Sequence, residues 1–170
     1  RCVALARLAL PYAGVILTTK EPAGLWRDGC GAGASQLLTG SVANPYGGWT
    51  VAPGQQVPFP LGEDCHVDEV VRFLLEDARH LPSFCAACPR LGRRGEEFLA
   101  MVRECGMKGQ CGPNSAASFM EFLLHYATPY TRIQGERLLE EKLGRMSLHE
   151  RGAADRLLKK VRAGCMDEFI

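Results

Sequence analysis

Four cysteines crowded between positions 85 and 111 constrain this chain more than any other feature. The pair Cys85-Ala86-Ala87-Cys88 and the more distant Cys111 give the spacing Cys-x2-Cys-x22-Cys. Two thiolates separated by two residues can grip one metal centre, because the backbone between them folds into a tight turn. A closed zinc site wants four ligands, usually from a second short-spaced pair. Here the fourth would have to be Cys105, His80 or His125, and none stands at a standard spacing. An iron–sulfur cluster also usually takes four thiolates. Three thiolates leave one iron open to something other than a protein side chain, which gives the count meaning if the site performs chemistry. The residues alone leave three alternatives: a cluster, a zinc site, or small buried hydrophobes with no metal.

Composition narrows the setting. Eight cysteines in 170 residues fall short of the roughly 8–10% that marks a secreted disulfide scaffold. With no signal sequence, the Cys85–Cys88 pair favours a reduced compartment and metal. Arg1 carries no initiator Met and no leader, so the chain is expected to begin within a longer protein. A formal charge of +1 gives no electrostatic reason to expect nucleic acid or an anionic membrane as partner. No apolar run approaches the roughly 18 residues needed to span a bilayer. Arg90, Arg93 and Arg94 follow Cys88 closely. Guanidinium groups there could offset the charge of a thiolate cluster, or simply form a solvated basic loop.

The first part of the chain reads as the end of an α/β unit. A helix end over Val3–Leu10 gives way at Tyr12-Ala13-Gly14 to a strand over Gly14–Thr19. A short helical piece around Leu25 and Trp26 and a second strand, Ser35–Thr39, complete a βαβ pattern. A Gly- and Pro-rich linker is expected from Asn44 to Asp64. Beyond it the pattern is helical. Val67, Val70, Val71, Leu74 and Leu75 make an amphipathic stripe, repeated weakly by Phe98, Met101 and Val102 and strongly by Phe119, Phe122, Leu123 and Tyr126. Thr128-Pro129 opens a helix through Leu138, Leu139 and Leu143, and Ser147 with Glu150 is a capping box for a last one. The clustered cysteines are expected in the loops between these helices, with Cys111 just before one.

At Ser83-Phe84-Cys85-Ala86-Ala87-Cys88-Pro89-Arg90-Leu91-Gly92-Arg93 the chain resembles the C-terminal part of the HydG family, radical SAM tyrosine lyases that mature [FeFe]-hydrogenase. The family's Cys-x2-Cys-x22-Cys signature matches Cys85, Cys88 and Cys111 in spacing. Pro113-Asn114, Phe119-x-Glu121-x-Leu123-x-x-Tyr126-Ala127, Arg7-Leu8-Ala9-x-Pro11-Tyr12 and Ser35-Gln36 are similar as well. The resemblance implies an α/β fold: the last two strands of a radical SAM TIM-type barrel, then a small mostly α-helical cluster-binding domain. Residues 1–64 would be barrel end and linker, and residues 65–170 the cluster domain.

The resemblance further implies that Cys85, Cys88 and Cys111 ligate an auxiliary [4Fe-4S] cluster with an additional labile iron. Arg90 and Arg93 would stand beside it, and Lys20, Ser35 and Gln36 on the substrate side. The whole protein would bind S-adenosyl-L-methionine on a second [4Fe-4S] cluster and cleave tyrosine to p-cresol and dehydroglycine, making CO and cyanide. Its partners would be other hydrogenase maturation proteins, in the cytoplasm of an anaerobe or an algal plastid stroma. The radical-generating Cys-x3-Cys-x2-Cys motif is nowhere in this chain, so the chain alone is not expected to cleave S-adenosyl-L-methionine.

Three positions depart from the family. Thr19-Lys20-Glu21 stands where Thr-Arg-Glu is usual, Gly40-Ser41-Val42 where Gly-Ser-Arg is usual, and Pro89 replaces an aromatic residue. An arginine would grip a substrate carboxylate bidentately, a geometry Lys20 cannot copy. Two alternatives follow: a divergent radical SAM lyase for another amino acid, or a non-catalytic, zinc-stabilised interaction module. The thiamine-biosynthetic 2-iminoacetate synthases share the barrel, but the auxiliary cysteine motif argues against them.

Overall fold

The β-branched and apolar run from Val15 to Thr18 forms strand β1 (Ile16–Thr18), paired in parallel with β2 (Gln36–Leu38). The computed structural model describes residues 1–40, 66–104, 107 and 109–170. Cys65, Cys105, Ser41, Val42 and the linker expected over 44–64 lie outside the described residues. By its internal packing the chain divides into two units, Arg1–Val70 and Val71–Ile170.

In the first unit, helix α1 (Cys2–Ala9) precedes β1, and α2 (Ala23–Gly31) makes the crossover to β2. The register pairs Ile16 with Gln36, Leu17 with Leu37 and Thr18 with Leu38. Gly29 lets α2 lie on the sheet, because a Cβ there would come within 2.2 Å of Leu17 Cδ1. Both strands are shorter than the sequence suggests. At their start the backbone leaves the ladder: the Ser35 and Gln36 N–H groups share the Val15 carbonyl at 3.0 and 3.2 Å, and the Val15 N–H donates to Ser35 Oγ at 3.1 Å. At the other end the Thr19 N–H still donates to the Leu38 carbonyl, at 3.0 Å.

Arg7 ties this unit together. Its Nε donates to the Gly33 carbonyl at 3.0 Å, and its Nη1 to the Pro11 and Ala13 carbonyls at 2.9 and 2.8 Å. The Gly33 carbonyl is the part-buried one of the three, and a buried acceptor left unpaired costs about 1–3 kcal/mol; the other two bonds are exposed. Gly33 sits at φ +107°, where a side chain is strained and would meet Arg7 Cγ at 2.8 Å.

Helix α3 (Val67–Glu76) carries the expected stripe, with Val70, Val71 and Leu75 buried. The division between the units falls inside it. The second unit is helical: α4 (Ala87–Arg90), α5 (Gly95–Arg103), α6 (Cys111–His125), α7 (Pro129–Leu143) and α8 (Leu148–Arg162). The fold class is therefore the one expected, a parallel β pair with its crossover helix followed by a mostly helical part. Ala116, Ala117 and Met120 of α6 pack with Leu139 and Leu143 of α7 and with Ala154, Leu157, Leu158 and Val161 of α8. Each large side chain buried there contributes about 1.5–3 kcal/mol. Gly135 brings α7 close to α6, since a Cβ would lie 2.6 Å from Leu123 Cδ2 and 3.1 Å from Phe119 Cζ.

The starts of α7 and α8 are those read from the sequence. Thr128 Oγ1 accepts from the Thr131 N–H at 3.4 Å. Ser147 and Glu150 make the reciprocal capping box, at 3.3 and 3.1 Å. Among the described residues no helix is long and apolar enough to cross a membrane.

Candidate functional site

The turn carrying Cys85 and Cys88 is held against α6 by the residue just before it. Phe84 stacks on Phe122 with ring centroids 4.8 Å apart, and its N–H donates to Ser118 Oγ at 3.2 Å. The turn closes locally, with the Cys85 N–H donating to Ser83 Oγ at 3.3 Å and the Ala87 N–H to Cys85 Sγ at 3.4 Å. It ends where the Arg93 N–H donates to the Cys88 carbonyl at 2.9 Å, after Gly92 at φ +75°.

The placement of the cysteines corrects one expectation. Cys88 lies within α4 and Cys111 is the first residue of α6, rather than both lying in loops. Helix α6 can begin upstream of Pro113 because the first N–H groups of a helix have no intrahelical acceptor, so the missing proline N–H costs nothing there.

The three thiols share one neighbourhood. The thiol of Cys111 is pushed above its ordinary pKa, first by desolvation and then by the negative charge of Cys88 and of Cys85, while Arg93 opposes the shift. As residues Cys85 and Cys111 are exposed and Cys88 is half-buried. Packing as small buried hydrophobes therefore does not account for them. Cys88 Sγ lies 3.5 Å from Met107 Sδ. Elsewhere Cys2 and Cys165 are exposed, and Cys30 is a half-buried residue of α2 whose thiol burial pushes up. Among the described residues no group of three or more His, Cys, Asp or Glu side chains is arranged to hold a single metal ion.

The two basic residues differ. Arg93 is half-buried and donates from Nη1 to Gln110 Oε1 at 3.0 Å. Arg90 is exposed and pairs with Asp167 at 3.0 Å. His125 ends α6, about 21 Å along the helix from Cys111 at 1.5 Å per residue, too far to join it as a ligand. His80 Nδ1 contacts the Ala78 carbonyl.

Sequence reasoning missed the residues that support the turn. Buried Asn114, in the first turn of α6, exchanges two hydrogen bonds with the Ile170 main chain, at 3.0 and 2.9 Å. The Asp167 N–H donates to Glu121 Oε2 at 2.9 Å. The tail thus lies over a cavity of about 70 Å³ beside Cys85 and Phe84. A polar residue directly after Pro113 was the available signal for Asn114; Phe84 and Ser118 carry none.

Lys20, Ser35 and Gln36 do not form one group. The strands run parallel, so Lys20 follows the C-terminal end of β1 while Ser35 and Gln36 stand at the opposite, N-terminal end of β2. All three are exposed. The Ser35 hydroxyl is engaged with Val15, and the Gln36 side chain lies beside Gly14.

These features define a class before they define a relative. Residues 1–108 match the Biotin and Thiamin Synthesis associated domain, more than half of the chain, and the chain belongs to that family. In structure it is similar to HydG, whose crystal structure is described as that of a maturase of the [FeFe]-hydrogenase, with a TM-score of 0.83 and 29% sequence identity. The likeness covers 99% of this chain and 36% of that one, so the chain spans about a third of that protein's length. No curated protein matches it in sequence. The chain is thus related to the C-terminal part of a radical SAM maturase.

Proposed function

We propose that this chain carries the auxiliary cluster site of a HydG-like radical SAM lyase, with Cys85, Cys88 and Cys111 as its three protein thiolates. The observation that carries the reading is the approach of the Cys85–Cys88 turn to Cys111, where Arg93 bonds both the Cys88 carbonyl and Gln110, the residue before Cys111, within a fold similar to HydG. The donor set fits. A single ion needs every donor about 2.0–2.3 Å from one point, whereas a cluster takes one thiolate on each of several irons and so spreads its donors. When bound, an auxiliary [4Fe-4S] cluster with an additional labile iron supplies an open coordination position for small ligands. The chain's own part is to fix the three donors: Phe84 and Ser118 seat the turn, and α6 fixes Cys111.

In this reading residues 1–64 are the barrel end and linker and residues 65–170 the cluster domain. The whole protein cleaves tyrosine and makes CO and cyanide for hydrogenase maturation. S-adenosyl-L-methionine and the radical-generating cluster act outside this chain, which has no Cys-x3-Cys-x2-Cys motif. A second reading keeps the cluster and changes the amino acid. It is favoured by Lys20, which follows the C-terminal end of a strand, where barrel enzymes place substrate-binding groups.

Anaerobic reconstitution of the chain with iron and sulfide tests the proposal. It should yield about four labile sulfides and four to five irons per chain, and no 5′-deoxyadenosine or p-cresol on adding S-adenosyl-L-methionine and tyrosine. One zinc per chain with no labile sulfide would overturn it.

A further inference from the structure

We propose that Arg93 is the positioning residue of the candidate centre, joining the turn that carries Cys88 to the residue before Cys111 and bringing a positive charge to the thiolates. The inference rests on the cluster reading above and assigns a role that the cysteine motif does not contain.

The geometry gives Arg93 two ties. Its main-chain N–H donates to the Cys88 carbonyl at 2.9 Å, which fixes it to the first cysteine-bearing element. Its guanidinium Nη1 donates to Gln110 Oε1 at 3.0 Å, which reaches the second, since Gln110 immediately precedes Cys111 and α6. Gly92 at φ +75° allows the chain to double back so that one residue can make both ties. A planar guanidinium spans such a gap with fixed direction, whereas an ammonium does not.

Charge separates Arg93 from its neighbours. Arg90 is paired with Asp167 at 3.0 Å, and both side chains are exposed. Among the described residues Arg93 is paired with no carboxylate; Gln110 Oε1 is neutral, so the charge of the guanidinium persists beside the cysteines. Three thiolates and a cluster accumulate negative charge, more so on reduction. A fixed cation there favours the reduced state and holds the thiolates against mutual repulsion.

The test compares the 170-residue parent with Arg93→Gln, Arg93→Lys, Gln110→Ala and the neighbouring exposed Arg94→Gln. In reconstituted chains, redox titration followed by electron paramagnetic resonance reads the potential. Arg93→Gln should move the midpoint negative by an amount equal to about a tenfold change in the oxidised-to-reduced ratio, about 59 mV for one electron. Arg93→Lys should restore most of that shift, and Arg94→Gln should stay with the parent. In the apo chains, dibromobimane bridging of Cys88 to Cys111, mapped by mass spectrometry, reads position. The bridged yield should fall at least threefold in Arg93→Gln and in Gln110→Ala, while Gln110→Ala keeps the parental potential.

Parental potential and parental bridging in Arg93→Gln would overturn the inference, as would an equal loss in Arg94→Gln. If Arg93→Gln does not fold, Gln110→Ala with undiminished bridging overturns it instead. A parent that takes up no iron and sulfide defeats the cluster reading, and the apo bridging series still decides whether Arg93 positions the cysteines.

Discussion

The helical unit seals Phe119, Leu139, Leu143 and Ala154 at 1% exposure or less, whereas the N-terminal unit leaves Leu8 80%, Leu5 66% and Ile16 59% exposed. Both carry apolar residues at the spacing their elements demand, so the difference lies in what each has to pack against. Helices α6, α7 and α8 cover one another and close a core. Among the described residues the N-terminal unit sets α1 and α2 beside a parallel pair of three-residue strands, and such a pair does not close a core, since parallel sheets are ordinarily covered on both faces and need more strands. The lesson is that the helical unit supplies the rigid frame, and the cysteine turn is built on that frame rather than on the sheet.

Core truncation should expose the contrast most strongly. Leu139→Ala is expected to cost about 2–5 kcal/mol, read by urea titration, while Leu8→Ala should stay within about 0.5 kcal/mol. Similar losses at the two sites would break the comparison. The same reasoning expects residues 66–170 to express as a monomer with a cooperative transition. Residues 1–64, whose described strands make a sheet of only two, should aggregate.

A smaller, local effect is expected at Gly33. Gly33→Ala strains a φ of +107° and collides with Arg7, at a cost of about 1–3 kcal/mol. Hydrogen exchange should show faster opening of the Gln36–Leu38 amides, with the helical core unaffected. Gly31→Ala, where a Cβ meets nothing within 4 Å, is the matched control. Protection lost equally in α6 and α8 would show that the two units share one cooperative core.

The smallest effect should come from the capping box. Ser147→Ala removes the side-chain acceptor for the Glu150 N–H and should cost about 1 kcal/mol. A thermal melt of the parent and variant reads it, and Ser147→Asp should recover most of the loss.

Local chemistry made most of the elements legible. Pro129 after Thr128, the Ser147–Glu150 pair and the stripe from Val67 to Leu75 each carry their own start or facing signal, and the structure follows them. The extent of β1 and β2 was not legible, because strand length depends on neighbours that periodicity does not encode. Spacing nominated Cys85, Cys88 and Cys111, but not how they meet. That depends on Phe84 stacking across 38 residues on Phe122, on Asn114 gripping Ile170, and on Arg93 reaching Gln110. Nor did spacing show that Ser35 and Gln36 stand at the opposite end of the ladder from Lys20, which follows from the parallel register with Ile16 opposite Gln36.

Iron and labile sulfide per chain in single cysteine variants test the central claim most directly. After anaerobic reconstitution, Cys85→Ala, Cys88→Ala and Cys111→Ala should each lose the cluster and its visible absorption. Cys165→Ala, at an exposed cysteine outside the Cys-x2-Cys-x22-Cys motif, should match the parent, and so should Cys105→Ala. Parental iron and sulfide in Cys111→Ala, with loss in Cys105→Ala instead, would contradict the account.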